Sequence, residues 1–170
     1  MTSRKGPVTE QHQHTETFGR DHREVARARH LVTGLLQRWG LRGEVPTFEL
    51  AVSELVSNAL LHGAGEIQVQ LSCDASGSVR LAVADEGWDV PGGAGPHLEE
   101  RLAGGWGLRF VDRLAERWGT HHDEHGTLVW MVRRATPGPG RAPGPAAGRG
   151  VGDRFGRVRR VRRVGRVGRA

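Results

Sequence analysis

"ELVSNALLHG", residues 54–63, has the spacing of an amphipathic helix, yet it sets Glu54, Asn58 and His62 along one stripe at intervals of four. Phe48, Val52, Leu55, Val56 and Ala59 form its main apolar face, which predicts a helix from about Pro46, a favoured first-turn residue, to about His62. Leu50 and Leu61 lie on the opposite side, and a helix apolar nearly all round is expected to be buried nearly all round. Glu54 is then a partly buried acid, which asks for a chemical reason.

Upstream, Val25, Ala28, Leu31, Val32, Leu35, Leu36 and Trp39 recur at helical spacing, with Asp21 and Glu24 placed to form a capping box. An edge strand is expected near residues 14–19. "RWG" occurs at 38–40 and again at 117–119, read here as one helix-ending device used twice, with glycine in the left-handed position. Downstream, EIQVQLS and SVRLAVAD alternate strictly and are joined by the turn DASG at 74–77, which predicts a hairpin. Because strand side chains repeat every two residues, Val79, Leu81, Val83 and Asp85 share a face, so Asp85 ends a core-facing series. Residues 86–104 hold five glycines and two prolines, too loose for an ordinary connection and expected to form a lid or a disordered stretch. A third helix follows "GGWG", with Leu108, Val111, Leu114, Ala115 and Trp118 inward, and strands near 119–124 and 127–134 close the domain. In the last strand Thr127, Val129 and Met131 face one way and Leu128, Trp130 and Val132 the other.

A chain of 170 residues suits one domain with tails. Residues 137–170 hold ten arginines against one acid, a local balance of +9, so the other 136 residues of this +6 chain sum to −3. That tail is mostly Gly, Pro, Ala, Arg and Val, a composition that cannot bury a core. The expected organisation is a disordered segment 1–14, a folded domain 15–135 and a disordered basic tail 136–170. The tail reads either as a solvated extension or as an arm making weak, non-specific contact with nucleic acid or anionic membrane. Cys73 is the only cysteine, which excludes an internal disulfide, and no stretch approaches the roughly 20 apolar residues of a membrane span. The opening MTSRKGPVTEQHQHTE lacks the apolar centre of a secretory signal, so a soluble cytoplasmic protein is expected.

Three features stand out: the acid and amide of the second helix, an Asp followed by Glu-Gly at the inner end of a strand, and Gly105-Trp106-Gly107 at the start of the third helix. Each has an ordinary explanation when taken singly: a core acid tied to an arginine, a turn residue, a hinge. In order, E-x-x-x-N-A-x-x-H-G, D-x-G, a lid, G-x-G-L and G-T-x-x-W resemble the GHKL ATP-binding superfamily of histidine kinases, gyrase and MutL. The short form is similar to the anti-sigma-factor serine/threonine kinases of bacteria, the SpoIIAB and RsbW family. The resemblance covers about residues 15–134. It implies a Bergerat-type α/β two-layer sandwich, a mixed, largely antiparallel sheet covered on one face by three helices.

The resemblance also implies roles. Asn58 matches the Mg²⁺ ligand; an amide oxygen is a hard ligand suited to a metal that keeps several waters and binds phosphate. Glu54 matches the group that activates the attacking hydroxyl, and His62 is read as a packing residue. Asp85 matches the acceptor of the adenine amino group, Gly87 leaves room for the purine, and Thr127 supports the base contact. Gly105 and Gly107, with Leu108 completing the G-x-G-L motif, match nucleotide-binding positions whose backbone N–H groups meet the phosphates at a helix start. Lys5 is the only lysine, so a Walker-type loop is excluded, leaving Arg101 and Arg109 as the basic candidates near the phosphates. No phosphorylatable histidine segment precedes the domain, which argues against a complete histidine kinase. His121, His122 and His125 are read as a solvated turn rather than a metal site.

Three function classes follow. The leading one is a regulatory serine/threonine kinase with ATP and Mg²⁺ as cofactors and a small protein as partner, an anti-sigma antagonist or a sigma factor; the resemblance further implies a homodimer. The second is a module in which ATP shapes a protein-binding surface without phosphate transfer. The third is a nucleic-acid or membrane-surface binder driven by the tail.

Overall fold

The computed structural model describes residues 11–86, 106–123 and 126–135, with backbone placement alone for 106–108 and 122. The expected tail 136–170 and the glycine-rich stretch after Glu86 lie outside them. The strands are β1 (His12–Phe18), β2 (Ile67–Cys73), β3 (Ser78–Asp85), β4 (Arg117–Asp123) and β5 (Gly126–Arg134). The helices are α1 (Arg23–Arg38), α2 (Val45–His62) and α3 (Trp106–Leu114), with a 3-10 turn at Arg42–Glu44 leading into α2.

The strands form one sheet in the order β1-β2-β3-β5-β4, antiparallel at every pair rather than mixed. β2–β3 and β4–β5 are hairpins and the excursion from β1 to β2 returns the chain reversed; β4 runs parallel to β3 but β5 lies between them, so no neighbouring pair is parallel. Folding begins before the expected boundary at residue 15, since β1 pairs from His12. Ile67, Val69 and Leu71 of β2, Val79 and Leu81 of β3, and Met131 of β5 are fully buried on one face. Over them lie Val32 and Leu36 of α1, Phe48, Val52, Leu55 and Val56 of α2, and Val111 of α3. Burial of each large side chain is worth about 1.5–3 kcal/mol, so this single core is the main source of stability. α2 is the central helix, packed on α1, α3 and β3. Among the described residues no helix is long and apolar enough to cross a membrane.

Several local expectations change. The first "RWG" does end a helix: Gly40 has φ 74°, its N–H donates to the Gln37 carbonyl at 3.1 Å, and the Leu41 N–H donates to Leu36 at 2.8 Å. That is a Schellman motif. The second does not, because α3 stops at Leu114 and Glu116 N–H already donates to the Val132 carbonyl at 3.0 Å. Arg117, Trp118 and Gly119 therefore belong to β4, where a Cβ on Gly119 would sit 2.9 Å from the Trp130 ring. The glycine makes room for an indole. Trp118 instead donates its ring N–H to Asp112 at 2.8 Å.

No capping box forms at α1. The Asp21 carboxylate accepts from the Arg23 N–H at 2.7 Å, and Glu24 pairs with Arg27 at 2.9 Å rather than reaching back. α2 is buried on one side only, with Leu50 and Leu61 37% and 67% exposed. His62 is exposed as well, so it does not pack.

The turn joining β2 to β3 is held by one carboxylate. Asp74 accepts from the Ser76 N–H (2.8 Å), the Ser76 hydroxyl (2.6 Å) and the Ser78 N–H (2.9 Å). Partial burial pushes its pKa up, but these hydrogen bonds and the charge of Arg134 outweigh burial and leave it lowered. A carboxylate lowered on folding stabilises above its unfolded value, and that stability fades as pH falls below 3.8 and through the folded value. Asp74→Ala is expected to cost about 1 kcal/mol at neutral pH. Melting curves at pH 7 and in strong acid check this: an equal deficit at both would sink the assignment.

Candidate functional site

The site gathers at one end of the sheet, where the end of α2, the end of β3 and the start of β5 meet. Glu54 and Asn58 are both half-buried on neighbouring turns of α2, off the face that fills the core. Among the described residues no hydrogen bond or ion pair engages either side chain, although Ser53 beside them donates its hydroxyl to the Glu49 carbonyl at 2.7 Å. No described arginine ties Glu54 into the core. Two polar side chains that the fold leaves unused, one turn apart and partly dehydrated, are placed to act on something else.

One turn further on, α2 ends and the chain folds onto β3. The Gly63 N–H donates to the Ala59 carbonyl at 2.9 Å, and a Cβ on Gly63 would lie 2.5 Å from Asp85 Cγ and 2.7 Å from Oδ2. Any other residue would push the carboxylate away. Gly63 has φ −91°, which every residue adopts, so its requirement is space and not conformation. Asp85 sits opposite Ile67 on one side and Thr127 on the other, so the acid and the hydroxyl are register partners on the helix-facing side of the sheet. Asp85 is half-buried and Thr127 buried. Gly126, before Thr127, passes so close to the Asp85 carbonyl that a Cβ there would overlap it.

The structure thus brings Asp85 and Thr127 together beside the end of α2, the helix that carries Glu54 and Asn58. Gly107 and Leu108 lie in the first turn of α3, where backbone N–H groups lack helical partners. Arg109 is exposed in the next positions of that helix. Gly87, Gly105 and Arg101 fall outside the described residues. His121 pairs with Asp123 at 3.0 Å, and the described residues contain no group of three side chains able to hold a metal.

The chain's amino acids from 18 to 133 match the family model of the histidine kinase-like ATPase domain. The chain belongs to that family. Among solved structures, this histidine kinase-like ATPase domain is similar to the crystal structure of the RsbU and RsbW domains of Rv1364c from Mycobacterium tuberculosis. Identity is 22% and the TM-score 0.57, over 72% of this chain and 32% of that one, a likeness of fold. The chain therefore spans about a third of that structure's length. No curated protein matches it in sequence.

Two features of the ATPase domain were not legible in the sequence. The first is the reason for Gly63, which depends on the end of α2 meeting the end of β3. The second is Arg20, whose guanidinium donates to the carbonyls of Ala59 (3.1 Å), Leu60 (2.7 Å), Gly63 (2.7 Å) and Gly65 (3.4 Å). Arg20 falls between a strand and a helix, outside any periodic pattern. Its only signal is that an arginine suits a helix C-terminus, and its partners lie about 40 positions away.

Proposed function

We propose that the chain binds Mg²⁺-ATP at this site and transfers phosphate to a serine or threonine of a small partner protein, in a switch of the anti-sigma-factor type. The observation that carries the reading is the Glu54–Asn58 stripe, engaged by no described residue, on the helix whose end at Gly63 is seated against the Asp85 carboxylate. Asp85 accepts a hydrogen bond from the adenine amino group, with the Thr127 hydroxyl supporting it. Gly87 leaves room for the base in this reading, while Gly105, Gly107 and Leu108 offer backbone to the phosphates at the start of α3. Asn58 fits Mg²⁺: its amide is a single neutral oxygen ligand, suited to an ion that completes its shell with water and phosphate oxygens. When bound, Mg²⁺ neutralises phosphate charge. Glu54 orients the acceptor hydroxyl and takes its proton as the oxygen attacks the γ-phosphate and ADP departs.

Base recognition gives the test. Guanine offers a carbonyl where adenine offers an amine, so a carboxylate at position 85 discriminates between them. Asp85→Asn is expected to weaken ATP binding by on the order of 1–3 kcal/mol and to narrow the preference for ATP over GTP. Calorimetric titration of both nucleotides against both proteins decides it; equal affinity of the unaltered chain for ATP and GTP removes Asp85 from this role.

A further inference from the structure

Resting on the assignment of Asp85 as the adenine reader, we infer that Arg20 is a positioning residue that sets nucleotide selectivity by clamping the turn that ends α2. One guanidinium spans four carbonyls, those of Ala59, Leu60, Gly63 and Gly65. The Leu60 carbonyl is one that the end of a helix leaves without a helical partner, the Ala59 carbonyl is shared with the Gly63 N–H, and those of Gly63 and Gly65 lie just past the helix, where its dipole favours a cation. From the opposite side the Glu86 N–H donates to the Ala64 carbonyl at 3.0 Å. Gly65, at φ 59°, runs so close to Glu86 that a Cβ would overlap its side chain.

The turn 63–65 is therefore held between Arg20 and the residue that follows Asp85. Its inner surface is the Gly63 backbone, in contact with the Asp85 carboxylate. A hydrogen bond to an exocyclic amine is directional, so the orientation of that carboxylate decides how well adenine is told from guanine. Arg20 never reaches the base. It acts by keeping Gly63 against Asp85, and through Asn58, one residue before Ala59, it also fixes the last turns of the helix that carries the stripe.

A planar fork meeting several carbonyls is not replaceable by an ammonium, which offers point-like donors. In the full chain, Arg20→Met is expected to lower ATP affinity on the order of tenfold while GTP affinity changes little, so the ATP-to-GTP ratio falls. Arg20→Lys should fall between Arg20→Met and the unaltered chain. Both are titrated with Mg²⁺-ATP and Mg²⁺-GTP well below their melting temperatures. A purely structural Arg20 would lower the melting temperature and leave the ratio of affinities unchanged, and that result overturns the inference. Arg20→Lys alone decides it if Arg20→Met does not fold: a ratio equal to that of the unaltered chain is again contrary. Asp85→Asn separates the two layers. If it abolishes the preference and the Arg20 variants retain it, only the positioning role fails; if the unaltered chain has no preference, the base-reading assignment and this inference fail together.

Discussion

Glu54→Gln is expected to leave ATP binding intact and to slow phosphate transfer to a protein hydroxyl by about 10² to 10⁴, the usual loss when a general base is removed. The substitution keeps the shape of the side chain and deletes its charge. The motive is that Glu54 is half-buried on α2 with no hydrogen bond or ion pair from the described residues. A carboxylate serving the fold would instead have a guanidinium against it, as Glu44 has, and its loss would appear as a lower melting temperature with the rate per folded molecule unchanged. Melting temperature and transfer from radiolabelled ATP to a candidate partner, measured on one preparation, distinguish these roles. If the unaltered protein binds ATP tightly and transfers no phosphate to any plausible partner, the ATP-shaped binding module becomes the better reading.

Arg133→Met is expected to destabilise the domain by about 3 kcal/mol, a large share of the 5–15 kcal/mol that holds a domain of this kind together. Arg133 Nε donates to the Glu44 carboxylate at 2.9 Å and Nη1 to the Leu114 carbonyl at 2.9 Å. The Glu44 side chain is 3% exposed, so deleting the guanidinium takes the Arg133 counter-charge from a carboxylate that water barely reaches. The figure lies at the low end for such a pair because Arg133 itself keeps 34% of its surface in solvent. One side chain thereby joins the end of β5, the end of α3 and the turn that starts α2, the helix that carries Glu54 and Asn58. Urea unfolding measures the cost. The double variant Glu44→Gln, Arg133→Met should recover much of it, since the buried carboxylate charge is removed as well; a single-variant cost under about 0.5 kcal/mol would place the pair among weak surface contacts.

What the sequence made legible was whatever repeats locally. Alternation in EIQVQLS and SVRLAVAD located β2 to within one residue, β3 and the inward side of Asp85, and the spacing of Phe48, Val52, Leu55 and Val56 located the buried face of α2. Where one short string serves two geometries, locality misleads. The same Arg-Trp-Gly closes α1 at Gly40 and opens β4 from Arg117, because in the second case strand pairing with β5 and the bulk of Trp130 override a helix-ending signal. The expectation of all-round burial for α2 fails for a related reason: apolar composition at Leu50 and Leu61 does not say whether a neighbour covers them. Arg20, Gly63 and the Arg133–Glu44 pair were not legible, since each depends on segments 19 to 89 positions apart in sequence meeting in space.

The most direct measurement is the Mg²⁺ dependence of ATP affinity in the full chain and in Asn58→Ala, by calorimetry with and without the metal. Asn58 is half-buried with an amide that no described residue engages, one turn from Glu54 and next to the turn seated on Asp85. If that amide supplies the metal ligand, the unaltered chain binds ATP more tightly with Mg²⁺, and Asn58→Ala loses that gain while remaining folded. ATP binding that Mg²⁺ strengthens equally in both proteins, or no ATP binding by the unaltered chain, contradicts the assignment of this site.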